Sequence, residues 1–300
     1  MIRRFLSYVE IMTKITSVFA FLMSLAWLFY LRQPIDWKLT GIFFVSMFLF
    51  DLVTTAINNY IDTKTNAQKL QFKRRGALAV IIVLLAVSTG FGLYLAYLTD
   101  WVVLVLGGIC FVCGVFYTWG PVPISRQPLG ELFSGLFYGL LIPFIMFYIN
   151  MPQGTYLTLD VVSWTISLTI HIRPFLPVIL LTAAPVCATA NIMLANNICD
   201  LDRDIAVKRH TLPYYLGDRA LYLFAGLYYL IYAAAILLVA AGILPPVYLL
   251  FLATLLLVQK NINTFRKKQE KETTFICSIQ NYIIIMGTQT LLLIICRWFS

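Results

Sequence analysis

The chain has 300 residues, 61% of them hydrophobic and only 12% charged, with a formal net charge of +9 and a mean hydropathy of +0.86. Soluble domains carry roughly 25% charged residues, so a water-soluble globule is excluded and a bilayer is the natural solvent. The excess positive charge is scattered among the connections between apolar runs, which excludes a nucleic-acid partner and points to membrane lipids.

Nine apolar runs follow one another, at residues 15–31, 40–57, 77–98, 101–117, 129–149, 175–195, 220–242, 244–258 and 276–296. A helix needs about 20 apolar residues to cross the hydrocarbon core, so the expected fold is all-α: a polytopic bundle of nine transmembrane helices around a central cavity. The first run is long and no small-residue cleavage site follows it, which reads as a span and not a removable signal. Cys110 and Cys113 form a CxxC inside the fourth run, away from any second pair or histidine, and read as packing. Residues 151–174 are too long for a bare turn. Within them 157–172 is apolar, with Trp164, His171 and Arg173 nearby, and is either an interfacial element on the outer surface or a tenth partial span. His171 reads as structural. The eighth run is the shortest, and Pro245 and Pro246 blur its start.

Eighteen of the 22 Lys and Arg lie before the first span or in the loops after even-numbered spans, and the other side holds only Arg32, Lys38, Arg173 and Arg297. The positive-inside rule then puts the N-terminus in the cytoplasm and, with an odd number of spans, the C-terminus outside. Lys14 counts among these inside charges, and the basic run 265–271 reads as loop charge attracted to anionic lipid.

Carboxylates and carboxamides are costly near a membrane, and here they cluster twice. Asn58-Asn59-Tyr60-Ile61-Asp62-Thr63-Lys64-Thr65-Asn66 follows the second span, and Asn196-Asn197-Ile198-Cys199-Asp200-Leu201-Asp202-Arg203-Asp204 follows the sixth. Both fit N-N-x-x-D-x-x-x-[N/D], as an internal repeat would. One domain, 1–300, is therefore expected to contain two halves, about 1–128 and 129–300, related by a pseudo-twofold axis. If each helix continues through its motif, Asn58, Asp62 and Asn66 share a face, as do Asn196, Asp200 and Asp204, while Asp202 points elsewhere. Oxygen-only donors at this spacing suit a hard cation such as Mg²⁺, completed by water and substrate phosphates. Lys64, Lys208, Arg209 and His210 would neutralise the remaining charge of a diphosphate. Asp51, inside the second span, either faces the cavity or pairs with a neighbouring polar group.

At these residues the chain resembles the UbiA superfamily of intramembrane prenyltransferases, whose hallmarks are N-D-x-x-D-x-x-x-D and a second D-x-x-x-D in the other half. Tyr117-Thr118-Trp119-Gly120-Pro121-Val122-Pro123, followed by Leu129-Gly130-Glu131, is similar to a Y-T-x-G-P-x-P…L-G-E segment of the branch that prenylates 1,4-dihydroxy-2-naphthoate in menaquinone synthesis. The run from Asn196 through Asp200 and Asp204 to Thr211-Leu212 and Leu216-Gly217 resembles that branch as well. The chain departs from the family at Asn59 and Asn66, which stand for Asp, at Cys199, which stands for Arg, and at Lys208, which stands for Gly.

The resemblance implies a Mg²⁺-dependent transferase of the cell membrane with its site toward the cytoplasm. Its substrates would be a polyprenyl diphosphate and an aromatic, dihydroxynaphthoate-like acceptor, giving demethylmenaquinone after loss of the ring carboxylate. Asn59, Asp62, Asn66, Asp200 and Asp204 would hold the metal, with Asp62, Asp200 and Asp204 central to catalysis. Asn58, Asn59, Lys64, Asn197, Lys208 and Arg209 would contact substrate, and Tyr117 and Arg126 would face the diphosphate or the acceptor ring unless they are an interfacial anchor and a loop charge. Relatives acting on 4-hydroxybenzoate, haem or homogentisate share the aspartate motifs. From another class, a secondary carrier also has repeated halves and polar breaks, but places them at the bilayer midplane.

Overall fold

With no water to satisfy backbone groups in a bilayer, an apolar chain must bond internally, and helices do so within one segment. The computed structural model describes residues 2–63, 70–120 and 123–299. Among the described residues eight helices are long and apolar enough to cross a membrane: Ile11–Tyr30, Trp37–Asp62, Arg74–Leu98, Gly130–Tyr148, Ile172–Cys199, Arg219–Ala240, Pro246–Lys267 and Ile276–Cys296. Trp101–Phe116, expected as the fourth span, is an apolar helix of 16 residues.

The elements in chain order are α1 (Ile2–Tyr8), α2 (Ile15–Tyr30), α3 (Trp37–Asp62), α4 (Arg74–Leu98), α5 (Trp101–Phe116), α6 (Gly130–Ser134) and α7 (Ile142–Tyr148). After them come β1 (Leu157–Val162), β2 (Thr165–Ile170), α8 (Ile172–Cys199), α9 (Leu201–Ala206), α10 (Leu212–Leu216), α11 (Arg219–Ala240), α12 (Leu255–Lys267) and α13 (Ile276–Cys296).

The all-α expectation is corrected at 157–170, which forms a two-stranded hairpin and not a tenth partial span. The alternation in Thr165-Ile166-Ser167-Leu168-Thr169-Ile170 has the period of a strand. The turn is made by Ser163 and Trp164, both with positive φ (48° and 66°), the twist that joins right-handed strands most tightly. The eighth span is corrected too. It opens as a 3₁₀ turn at Pro246–Thr254 and runs on as α12 to Lys267, so Lys260, Arg266 and Lys267 lie on a helix.

The chain divides into two compact units: residues 1–18, 35–124 and 158–168, and residues 19–34, 125–157 and 169–300. Residues 19–34 go with the second unit and most of the hairpin with the first. In the first unit, Tyr8 and Val9 pack with Leu52, Val53, Ala56 and Ile57 of α3 and Ala77 and Ile81 of α4. The Tyr8 hydroxyl donates to the Ala56 carbonyl at 3.0 Å. Lys14 is buried there, not a free loop charge. Its ammonium donates to Asp51 Oδ1 at 2.9 Å, to the Asp51 carbonyl at 3.0 Å and to Thr55 Oγ1, while Ser17 Oγ donates to Asp51 Oδ2 at 2.6 Å. Asp51 thus pairs with a polar neighbour, the second of its two expected roles.

The second unit is organised on α8, whose small residues Ala184, Ala188 and Ala195 are buried. Gly135 and Gly139, one turn apart in a π-helical stretch, lie against the Pro185–Val186 backbone of α8, a small-xxx-small contact that admits no side chain. Pro185 lacks the amide that would donate to the Leu181 carbonyl, and Gln289 of α13 supplies that hydrogen through Nε2 at 3.0 Å. All six cysteines are free.

Candidate functional site

In the first unit α3 carries the motif from Asn58 as far as Asp62, where it ends, so Asn58 and Asp62 lie one turn apart on the same face. Thr63 closes the helix by donating its hydroxyl to the Asn59 carbonyl at 2.6 Å. Arg74 reaches back from α4 to the Tyr60 and Thr63 carbonyls (3.0 and 3.1 Å) and lies 5.3 Å from the Tyr60 ring centre, a cation complementing the negative end of the helix. The Thr118 hydroxyl donates to Asn58 Oδ1, so the segment that begins at half-buried Tyr117 packs directly on the motif. Asn59 spends both amide hydrogens on the N-terminal segment, at Tyr8 O (2.9 Å) and Glu10 Oε1 (3.1 Å), leaving its oxygen as the atom with which to meet a cation. Lys64 and Asn66 lie outside the described residues, as do Pro121 and Val122.

In the second unit α8 ends at Cys199, Asp200 forms a bend, and α9 follows, yet the i to i−4 bonds Asp200 N to Asn196 O (3.0 Å) and Asp204 N to Asp200 O (2.9 Å) persist on either side. The four-residue spacing therefore keeps its shared face, and Asp202 is exposed. The Lys271 ammonium, from the loop before α13, donates to both Asn196 Oδ1 and Asp200 Oδ2, the latter at 2.6 Å. Arg203 approaches Asp200 Oδ1 only at 3.8 Å and is exposed. Asp204 is buried, and that burial raises its carboxyl above the usual aspartate range; Arg209, 3.7 Å away, and the Thr211 hydroxyl, 3.5 Å away, oppose the rise. The same Arg209 donates through Nε to the Ser125 carbonyl at 2.8 Å, tying the motif to the segment that carries exposed Arg126. Lys208 is exposed and caps α9 with a φ of +57°, the left-handed conformation in which glycine is free of strain. His210 stacks on Tyr214 at 4.5 Å.

Asn197 is buried and donates through Nδ2 to Glu131 Oε1 at 2.9 Å, because a residue next to Asn196 on a helix points about 100° away, here into the contact of α8 with α6. Among the described residues no three His, Cys, Asp or Glu side chains gather around one metal position. The donor set is instead carboxamide plus carboxylate, and Asn196 Oδ1 and Asp200 Oδ2 already converge on a cation, the ammonium of Lys271. That donor chemistry fits a hard divalent ion finished by water and phosphate oxygens.

The UbiA prenyltransferase family matches this sequence over residues 17–282, a stretch that contains both motifs. The chain belongs to that family. Among its relatives, this UbiA-family chain is 26% identical over 240 residues to 1,4-dihydroxy-2-naphthoate octaprenyltransferase of Bacillus subtilis (strain 168), a match covering 75% of this chain and 70% of the relative. A solved structure of digeranylgeranylglyceryl phosphate synthase in membranes shares its fold with a TM-score of 0.66 at 18% identity, over 100% of this chain and 99% of the other. A UbiA homolog from Archaeoglobus fulgidus bound to GPP and Mg²⁺ gives a TM-score of 0.61 at 14% identity, over 97% and 99% of the two chains.

Three residues of this UbiA-family site escape a reading by motif. Lys271 looks like one more inside-loop charge, but it sits on the second motif. Arg74 looks the same and caps the first motif. Glu131 is visible only as the end of L-G-E, and its partner Asn197 identifies it as the residue that fixes α6 against α8.

Proposed function

We propose that the protein transfers a polyprenyl group from an allylic polyprenyl diphosphate to 1,4-dihydroxy-2-naphthoate at the cytoplasmic face of a nine-span bundle, with loss of the ring carboxylate as CO₂ to give demethylmenaquinol, the reduced form of demethylmenaquinone. The observation that carries this reading is the pair Asn196 and Asp200 converging on one cation beside Asp204 and Arg209, within a chain of the UbiA prenyltransferase family. The acceptor is inferred from the Bacillus subtilis relative and from the Tyr117 to Glu131 segment.

In this reading Asn59, Asp62 and Asn66 of the first motif and Asp200 and Asp204 of the second would hold Mg²⁺, whose charge would neutralise the diphosphate and make it a better leaving group. The duplicated motifs are proposed to face one cavity, in halves related by a pseudo-twofold axis. Lys64, Lys208 and Arg209 place fixed positive charge where the diphosphate gains negative charge as the allylic carbon–oxygen bond breaks. The bonding pair leaves with that oxygen, and a ring carbon of the acceptor bonds to the allylic carbon. Tyr117 and Arg126 orient the acceptor. The apolar helices take the isoprenoid tail and keep water from the electron-poor allylic carbon. The motifs occupy the ends of α3 and α8, where an interfacial enzyme needs them, and not the middle of a helix as in a carrier.

The test incubates purified protein with polyprenyl diphosphate, Mg²⁺ and a panel of aromatic acceptors and reads products by mass. Prenylated, decarboxylated naphthoate product is expected, and Asp200→Ala and Asp204→Ala should each abolish it while the protein stays folded in detergent. Product with 4-hydroxybenzoate alone would reassign the acceptor, and undiminished product from both variants would remove these residues from the site.

A further inference from the structure

The loop after α12 is built to present one cation. The Glu270 backbone amide donates to the Thr274 hydroxyl oxygen at 2.9 Å, the Glu270 carbonyl accepts from the Thr274 and Phe275 amides at 3.0 Å, and its carboxylate accepts from Lys268 at 2.8 Å and from the Thr273 hydroxyl at 2.7 Å. Gln269 ties the same loop to the end of α12 through the Phe265 and Arg266 carbonyls. Held in this turn, Lys271 lies 5.0 Å from the Phe275 ring centre and extends its ammonium to Asn196 Oδ1 and Asp200 Oδ2. The two oxygens belong to residues four apart at the end of α8, and the Lys271 side chain is only about one third exposed.

We propose that Lys271 is a tethered cation of the second motif: in the ligand-free protein its ammonium holds the position between Asn196 and Asp200 and competes there with a divalent ion. The inference rests on the reading of this motif as a metal and diphosphate site. A carboxylate oxygen 2.6 Å from an ammonium cannot coordinate a divalent ion at about 2.1 Å in the same direction, so the lysine must withdraw before the ion takes that oxygen. Its flexible four-carbon stem permits this, and the displaced charge remains beside the site. A built-in cation balances Asp200 when no metal is bound.

The experiment titrates the full-length protein in detergent with Mn²⁺ alone and follows free Mn²⁺ by electron paramagnetic resonance. Lys271→Met should bind Mn²⁺ about two- to fivefold more tightly than wild type, the scale of a partly exposed ion pair removed. Lys271→Arg should stay near wild type, and the gain should vanish in Lys271→Met/Asp200→Asn. In parallel, wild-type protein is labelled with an amine reagent, and saturating Mn²⁺ should raise modification of Lys271, a readout that needs no variant to fold. Unchanged or weaker Mn²⁺ binding by Lys271→Met, or Lys271 labelling indifferent to Mn²⁺, overturns the proposal. Tighter Mn²⁺ binding in a protein that prenylates no acceptor would sink the enzymatic reading and keep the tethered cation; product formation with Mn²⁺ binding indifferent to Lys271 would do the reverse.

Discussion

Replacing Lys14 by methionine probes what a buried charge pair contributes to the first unit. The Lys14 and Asp51 side chains are 4% and 5% exposed, and the ammonium makes three hydrogen bonds, two to Asp51 and one to Thr55. The substitution removes all three, and Asp51 keeps the Ser17 hydroxyl but loses its counter-charge. Breaking a buried pair from one side costs about 3–5 kcal/mol, which for a chain of this size lowers the unfolding midpoint by roughly 5–8 °C. Lys14→Met/Asp51→Leu should recover most of that loss, because an apolar pair of similar volume spares both desolvation terms. Circular dichroism melts in detergent at fixed protein concentration measure both. A single variant melting with wild type would refute the reasoning, and so would a double variant less stable than the single one.

Lys208→Gly should be more stable than Lys208→Ala by about 1 kcal/mol, since both lose the charge and only alanine keeps a side chain at a φ of +57°. In steady-state kinetics the two should raise KM for polyprenyl diphosphate equally, because there the charge matters and the backbone does not. Gly139→Ala should cost about 1–3 kcal/mol or more in thermal melts, because its new carbon meets the Val186 backbone, which cannot step aside. Gly226→Ala, with nothing within 4 Å of the added carbon, serves as the control and should melt at or above wild type.

The spans were legible because their apolar runs are set by bilayer thickness, and each motif by its spacing of four along a helix. What the sequence could not convey was pairing across long separations. Lys271 lies 71 residues from Asp200, and as one of several loop cations it carries no local mark of its contact. Lys14 sits just before an apolar run, where a topogenic charge belongs, and only the meeting of α3 with the preceding 3₁₀ turn buries it against Asp51. Asn197 shares a motif with Asn196, but the helical turn sends adjacent side chains to different neighbours. The hairpin at 157–170 lacks the usual Asn-Gly turn, so its alternation was read as apolar surface.

Pro185 has one more consequence. From this proline to Asp200 the chain forms a lever of 15 residues, about 22 Å long, and a tilt of roughly 10° at a proline joint would swing its tip by about 4 Å. Both the joint and the tip are gripped by a single stretch of chain, Gln289 at Leu181 and Lys271 at Asp200. Releasing the tip therefore leaves the arm pivoting on one pin, so the aim of Asp200 is set by how firmly that stretch keeps its two holds.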